Sequence, residues 1–425
     1  MSSHQTTLIP EVFVLWHPNC RLGDPLARRI LAWLRPGNGF GPEVFYRSLP
    51  APGAPANGLP LPLPDVQGRP VPTSIEPRQR HEITNQQIVI PLIDEHMVSD
   101  PAWRHWLAQL APAPRSADRR VMMPVALDPT AYNMPQGLRE LNYLRPAGVP
   151  LPDGEDIDGK AFETAARSLQ KQITEAMCRL LLPRPQVAGG APGAAADLLP
   201  KVNVFLSHAK EDGKRPAQRL RDYIYSQTQL AAFFDENDIA FGAAFSRVIR
   251  QDLTSPETAA FIAVRSARYA SRPWCRRELS LFRRPRRVPS PAGTLECWRL
   301  YPSLVVEAME GRRQSYGIPE LGNCPMIRWT DSDETLEELI VTTIIRDAML
   351  ASFHATLGAS ITAKPGRIVL NWLPDPTTLM HIDAVRERSE CEVVYPGRDL
   401  SGLDLDVLDE FFPHVTLRSF EEVLS

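Results

Sequence analysis

The feature that most constrains the fold is a regular alternation of short apolar runs with longer amphipathic segments between residues 201 and 357. The apolar runs have the length of buried strands and read KVNVFLS (201–207), AAFFD (231–235), AAFIAV (259–264), SLVVEA (303–308) and PMIRW (325–329). The segments between and after them have helical spacing and cover 215–227, 243–253, 273–282 and 334–357. Strands that alternate with helices predict one parallel sheet with right-handed crossovers and helices on both faces. The predicted fold class is therefore α/β.

The first half of the chain repeats this layout. VFVLWHPNCRLGDPLARRILAWL (12–34) matches VFLSHAKEDGKRPAQRLRDYI (204–224), and the stretch 88–107 matches 261–279. Each copy has a Ser-x-Pro sequence and a nearby Trp where its third helix begins. We infer two copies of one α/β fold.

The first copy, 11–182, is predicted to be degenerate. Trp106 or Leu107 occupies the position that Glu278 has in the second copy. The segment after its first strand reads WHPNC, where the second copy has SHAKED. We therefore expect the first copy to lack catalytic chemistry.

Proline marks the predicted boundaries, because its 42 residues are about twice the average share and occur in clusters. The Pro-, Gly- and Ala-rich stretch 183–200 is predicted to be a linker, followed by a domain at 201–357. Two other clusters, 50–73 and 283–293, are interpreted as long surface loops. A third, small α/β pattern covers 366–425. Its sixty residues are short for an independent core, so we expect it to dock on the second domain or on another subunit.

Composition excludes several classes of partner. The chain is 43% hydrophobic with a net charge of −3, so it offers no basic field for nucleic acid or anionic lipid. It has no run of eighteen apolar residues and no signal-peptide pattern at its N-terminus. The six cysteines are scattered without the short paired spacings of a zinc site or a disulfide framework. We expect a cytoplasmic protein with no membrane partner and no direct nucleic-acid binding.

In an open parallel sheet, ligands bind beyond the carboxyl ends of the strands, at the crevice where the strand order reverses. For the flavodoxin-like order 2-1-3-4-5 this crevice lies between the first and third strands. The segments that follow these strands are SHAKEDG (207–213) and RSARYASRPWCRRE (265–278). A third marked loop, FFDENDIAFGAAF (233–245), follows the second strand.

Taken together and in this order, VFLSHAKEDG, FFDENDIAFGAAF and IAVRSARYASRPWCRREL resemble the bacterial branch of the Toll/interleukin-receptor (TIR) family over residues 201–350. The resemblance implies a flavodoxin-like, five-stranded fold and signalling driven by assembly. It also implies the NAD⁺ glycohydrolase or cyclase activity that many bacterial, plant and some animal members have. Bacterial members often act in defence against phage.

The resemblance also implies site residues. The catalytic glutamate of the family lies in a Trp-Cys-x-x-Glu motif, which here runs from Trp274 to Glu278. The remaining residues that the resemblance assigns to substrate binding are Phe205, Ser207, His208, Asp235, Gly242, Phe245, Ser266, Tyr269 and Trp274. NAD⁺ would be the substrate, and neither a cofactor nor a metal ion is expected.

A lone carboxylate suits this chemistry. Nicotinamide leaves NAD⁺ as a neutral molecule, so no general acid is needed to protonate it, unlike the leaving group of an ordinary glycoside. Glu278 would bind the ribose hydroxyls and stabilise the positive charge that develops at the anomeric carbon. Trp274, one helical turn earlier, could stack on a base or on the nicotinamide ring.

Structural interpretations of these residues stay open. Glu278 could be a solvated charge paired with an arginine, and Trp274 could anchor its helix in the core. His208 and the loop aspartates could cap or form turns, and Cys275 fits a small buried residue better than a nucleophile.

Two alternative functions also remain. The first is an inactive TIR adaptor or scaffold that signals only by assembly, and the second is a deoxyribosyltransferase-like enzyme that also uses a glutamate. TIR sites are commonly completed by a neighbouring molecule, so the loop 239–245 is expected to take part in self-association. The expected partners are NAD⁺, other copies of the chain and an unidentified sensor protein.

Overall fold

The computed structural model describes residues 9–36, 41–47, 85–110, 120–151, 157, 159–181, 202–233, 258–288, 295–309, 317–322, 324–333, 335–397 and 400–424. The chain divides into two compact units, Met1–Ile173 and Thr174–Ser425. The predicted linker 183–200, the predicted loop 50–73 and the predicted helix 243–253 lie outside the described residues.

The first unit contains a parallel sheet flanked by helices. Its strands are β1 (Ile9–Trp16), β2 (Glu43–Arg47), β3 (Asn85–Ile93), β4 (Arg120–Met122) and β5 (Val125–Ala126). Its helices are α1 (Gly23–Leu34), α2 (Glu95–Ser99), α3 (Pro101–Leu110), α4 (Gln136–Arg139) and α5 (Lys160–Leu181), the last of which contains the division between the units. The strand order is β2-β1-β3-β4, with β5 also paired to β3, and all these pairings are parallel.

The described strands of the second unit are β6 (Asn203–His208), β7 (Ala231–Phe233), β8 (Thr258–Arg265), β9 (Arg286–Val288), β10 (Glu296–Arg299), β11 (Ser303–Glu307), β12 (Met326–Arg328), β13 (Arg367–Leu370), β14 (Cys391–Tyr395) and β15 (Val415–Ser419). Its described helices are α6 (Lys214–Gln227), α7 (Pro273–Phe282), α8 (Leu336–Gly358), α9 (Pro376–Leu379), α10 (Asp383–Glu387), α11 (Gly402–Phe411) and α12 (Phe420–Leu424).

One sheet of this unit has the order β12-β11-β8-β6-β7, and its pairings are parallel. In chain order these are the fifth, fourth, third, first and second strands, as the flavodoxin-like arrangement requires. The predicted α/β fold class and the parallel sheet are therefore confirmed. The central strands β6 and β8 are buried at nearly every position, on both faces of the sheet, as is typical of parallel strands covered by helices.

A third sheet, with the order β15-β14-β13-β10-β9, contains the C-terminal segment. The interpretation of 283–293 as a surface loop was wrong for Arg286–Val288, which forms β9 and pairs antiparallel with β10. Strand β10 in turn pairs parallel with β13. The short C-terminal pattern thus gains two strands from an earlier part of the chain, which enlarges a core too small to form alone.

Within the C-terminal α/β pattern, the sequence TTLMHIDAVRER (377–388) predicts one helix, but the structure has two short helices there, α9 and α10. Asp375 caps the first by accepting a hydrogen bond from the Thr378 backbone N–H. Between the two helices Ile382 adopts an extended conformation, and its side chain is fully buried in the core. The chain therefore turns at Ile382 to place an apolar side chain inside.

Helix α8 contacts both sheets of the second unit. It packs against β8 and β11 of one sheet and against β10 and β13 of the other. Its buried residues occur around the whole helix rather than on one stripe, which is typical of a helix enclosed by protein. None of the helices in the described part of the chain combines the length and the apolarity needed to span a bilayer.

Gly358, at the end of α8, allows the close approach of this helix to the third sheet. A Cβ atom there would lie 2.8 Å from Val369 Cγ1 and 3.2 Å from Phe420 Cζ.

Gly358→Val should lower the free energy of unfolding by about 1–3 kcal/mol, because both neighbours belong to a packed core and cannot easily move away. Urea unfolding of the full chain measures this. Gly402→Ala is the control, because nothing lies within 4 Å of the added atom. Equal midpoints for the two variants would contradict the predicted clash.

Candidate active site at the carboxyl ends of β6 and β8

The carboxyl ends of β6 and β8 form the crevice at which the strand order of the second unit reverses. The two strands are parallel neighbours, with Ser207 opposite Ala263 and His208 opposite Val264. From β6 the sheet continues to β7 on one side and through β8 to β11 on the other. Polar residues at these strand ends therefore lie where a ligand is expected.

Glu278 enters this crevice from helix α7. The helix begins at Pro273, whose fixed φ and missing N–H suit a first helical position. Its inward face carries Cys275, Glu278, Leu279 and Phe282. Glu278 is only 5% exposed, although it is a carboxylate.

A hydroxyl chain contacts the buried carboxylate. The Ser207 hydroxyl donates to Glu278 Oε2 at 2.6 Å, and Ser207 Oγ lies 2.9 Å from the Tyr269 hydroxyl oxygen. Serine has one proton to donate, and the carboxylate accepts it, so Tyr269 donates to Ser207. The three side chains form a directed chain from Tyr269 through Ser207 to Glu278.

Tyr269 remains a donor over the whole physiological range. Burial raises the pKa of its phenol well above the ordinary value, and the nearby Cys275 and Glu278 raise it further. The hydrogen bond with Ser207 acts in the opposite direction but is a smaller effect. The phenol therefore stays neutral and keeps its proton for Ser207.

Asp212, in the loop after β6, holds the loop after β8. Its Oδ1 accepts a hydrogen bond from the Ser266 hydroxyl at 2.6 Å, and its Oδ2 accepts one from the Arg268 backbone N–H at 2.9 Å. The neighbouring Glu211 forms ion pairs with Arg268 and Arg272. Sequence reasoning selected the SHAKEDG segment but did not assign a role to Asp212. Its position in a crevice loop was the available signal.

The other predicted site residues have different surroundings. Phe205 lies in the core, where its ring stacks on Phe261 with the centroids 5.5 Å apart. His208 is buried at the end of β6, and its carbonyl accepts a hydrogen bond from Cys275 Sγ. Asp235, Gly242 and Phe245 lie outside the described residues.

Trp274 is 41% exposed, so it is not the core anchor that one interpretation of the sequence allowed. The Arg277 guanidinium lies over its ring, 5.3 Å from the centroid. Cys275 is instead the buried residue of this turn, as expected from the sequence. The helix therefore presents an indole to the surface one turn before the buried carboxylate.

Within the described residues, no group of three or more His, Cys, Asp or Glu side chains is arranged to hold a metal ion. The chemistry that the described crevice offers on its own is a buried carboxylate, a serine hydroxyl and a neutral phenol. Such a set can bind hydroxyl groups of a ligand and stabilise positive charge.

Removing the serine hydroxyl tests how strongly the site depends on it. Ser207→Ala should lower the free energy of unfolding by about 1–3 kcal/mol, because a buried carboxylate oxygen loses a donor. Urea unfolding is the measurement. Ser280→Ala, on the exposed face of the same helix as Glu278, should change it by less than about 0.5 kcal/mol. A Ser207→Ala variant as stable as the parent would show that the hydrogen bond does not stabilise the fold.

Comparison with known proteins identifies part of the second unit. Residues 204–302 match the family model described as "TIR domain", and this stretch includes β8, α7, all of β6 except Asn203, and all the described crevice residues. No curated protein matches the chain. The chain therefore contains a TIR domain, and the candidate site lies within it.

Proposed function

We propose that the TIR domain cleaves the glycosidic bond between nicotinamide and ribose in NAD⁺, with Glu278 as the catalytic carboxylate. One observation carries the proposal. A buried carboxylate with a hydroxyl donor lies at the carboxyl ends of β6 and β8, which is where open parallel sheets of this type bind their ligands.

The chemistry needs only this one charged group. As the bond between the ribose C1′ and the nicotinamide nitrogen breaks, its electron pair leaves with the nitrogen and positive charge develops on the ribose. A carboxylate in a site that excludes water stabilises this charge far more than it would in bulk water. Water then attacks the anomeric carbon in hydrolysis, whereas a nitrogen of the adenine would attack it in cyclisation. The proposal covers both products.

Burial of Glu278 bears on how the substrate enters. With only 5% of the residue exposed, NAD⁺ reaches the carboxylate only after side chains move. Contact with a neighbouring TIR domain could supply that movement, because TIR domains commonly self-associate. We therefore propose that assembly activates the enzyme. Like bacterial relatives of this domain, it would act as an effector in antiphage defence, downstream of a sensor protein.

The first unit is proposed to be inactive. The position of Glu278 is occupied by Trp106 or Leu107 of α3. The Trp106 ring packs edge-on against buried Trp103 at a centroid distance of 5.7 Å, and Leu107 is fully buried. Neither side chain carries the negative charge of a carboxylate. This supports the proposal that the unit is a degenerate copy.

An inactive adaptor remains the second candidate. The observation in its favour is the same burial, because a carboxylate fixed by Ser207 could serve only to hold α7 against β6. The two candidates differ in what Glu278→Gln changes. In an adaptor this substitution alters stability or assembly, whereas in an enzyme it removes turnover.

Glu278→Gln should abolish nicotinamide release from NAD⁺ while the fold remains intact. Glutamine keeps the shape of the side chain but removes its charge, so the rate should fall by about 10²–10³-fold or more. No residual activity from the first unit is expected. The test is a chromatographic measurement of nicotinamide and of the ADP-ribose product. The same measurement is repeated with free nucleosides as substrates.

Glu320→Gln is the matched control, because this carboxylate is paired with Arg276 of the same helix but has no contact with Ser207. It should keep nearly full activity. Wild-type turnover in Glu278→Gln would remove Glu278 from the mechanism, and cleavage of free nucleosides but not NAD⁺ would favour a deoxyribosyltransferase-like enzyme.

Specific activity should rise with protein concentration if assembly opens the site. Trp274 supports a contact near Glu278, because exposed tryptophans are enriched at protein interfaces. Trp274→Ala should shift the rise to higher concentration, measured by nicotinamide release and light scattering on the same samples. A specific activity that is constant over a hundredfold range of concentration, with a monomer throughout, would contradict activation by assembly.

A further inference from the structure

A second site candidate lies in the third sheet, away from the TIR crevice. A cavity of about 380 Å³ opens at the amino ends of β10 and β13. Its wall includes the turn at 363–366 and side chains from β9, β10 and β13, together with Arg388. Such a volume is at the lower end of the range for small-molecule sites, which is about 300–1,000 Å³.

The cavity is strongly positive. Four cationic side chains line it, namely Arg287, Lys364, Arg367 and Arg388, against one carboxylate, Glu296. Arg367 forms an ion pair with Glu392, and Arg388 forms one with Glu296. Arg287 and Lys364 form no ion pair with any described residue. Their charge is therefore available to an anion.

Two of the four cationic groups, Arg367 and Arg388, are held in place before any ligand arrives. Arg367 is only 3% exposed, donates to Glu392 Oε2 at 2.5 Å and donates from Nη1 to the Thr362 carbonyl at 2.7 Å. Glu296 accepts one hydrogen bond from the Trp298 indole and another from Arg388, which fixes the Arg388 guanidinium. Preorganised groups lose little freedom on binding, so more of the attraction appears as affinity.

A tight turn brings two of the cations together. The backbone N–H of Arg367 donates to the Lys364 carbonyl at 3.1 Å, which closes the turn. Gly366 has a φ of +77°, a value that residues with a Cβ rarely adopt. The turn therefore depends on glycine to place Lys364 beside the buried Arg367.

The positive charges around the cavity also act on Glu392, the carboxylate that forms an ion pair with Arg367. The Arg367 hydrogen bond holds the pKa of Glu392 below its ordinary value, and the charges of Lys364 and Arg418 lower it further. Arg367 and Lys364, two of the groups that act on Glu392, also line the cavity.

We propose that this cavity binds a small, multiply charged phosphoryl oxyanion, of the class of inorganic diphosphate. Guanidinium groups match the geometry of phosphate oxygens with paired N–H donors. No aromatic ring is among the described lining residues, so no aromatic side chain there could stack on a nucleobase. The proposal does not depend on cleavage of NAD⁺, because it concerns another sheet and another ligand.

Isothermal titration calorimetry of the full chain with sodium pyrophosphate tests this. Saturable binding at one site is expected, and it should weaken as salt is added. The double variant Arg287→Ala/Lys364→Ala should bind at least about tenfold more weakly, because two charged donors are lost. Arg104→Ala/Arg139→Ala removes the same charge from exposed positions in the first unit and should bind like the parent.

Thermal melts of both double variants establish that each is folded. Absence of saturable binding to the parent would overturn the proposal, as would equal affinities of the parent and the Arg287→Ala/Lys364→Ala variant. Equal weakening in both double variants would show a general charge effect and overturn it as well. Binding of ADP more tightly than pyrophosphate would overturn the choice of a free oxyanion.

Discussion

The parallel pairing of β6 with β8 is the constraint on which the candidate site depends. Backbone hydrogen bonds fix the register of the two strands, and this register sets where each one ends. The loops that leave the strands therefore start side by side, so Asp212 from one loop can hold Ser266 and Arg268 of the other. A shift of one residue would turn Ser207 to the opposite face of the sheet.

Around this pairing the protein buries a polar group that an apolar core would exclude. Glu278 lies on the buried face of α7. The other large residues of this face, Leu279 and Phe282, pack with Phe261 of β8 in one apolar cluster. Removing a carboxylate from water is costly unless hydrogen bonds replace the lost water, and Ser207 supplies one of them. The low dielectric that makes burial costly also strengthens the field of the carboxylate on any positive charge nearby. The same burial thus serves either a structural or a catalytic role, and only activity distinguishes them.

The second unit contains a C-terminal sheet in addition to the sheet of the TIR domain. Helix α8 lies against two sheets, and its apolar surface is covered on several sides as a result. The C-terminal sheet includes β9 and β10, which come before β11 in the chain, although β11 and β12 belong to the TIR sheet. Strands of the two sheets therefore alternate along the chain. Helix α8 and the chain between β10 and β11 therefore connect the C-terminal sheet with the TIR sheet.

The sequence alone predicted the α/β class, the five strands of the TIR sheet and most helices that the structure describes in the second unit, and the resemblance that selected Glu278. It could do so because strand and helix periodicities are local, and because three motifs occur in the order of one fold. It missed β9 and β10, which are short and rich in arginine. Strand β9 pairs only with β10, and β10 pairs with β13, which lies far along the chain. It also left the burial of Trp274 undecided, since the exposure of a residue on a helix depends on what packs against it. The hydroxyl chain to Glu278, the hold of Asp212 on the facing loop and the basic cavity were decided by tertiary structure alone. Each joins residues distant in sequence, and only the pairing of strands and the packing of helices bring them within hydrogen-bonding distance.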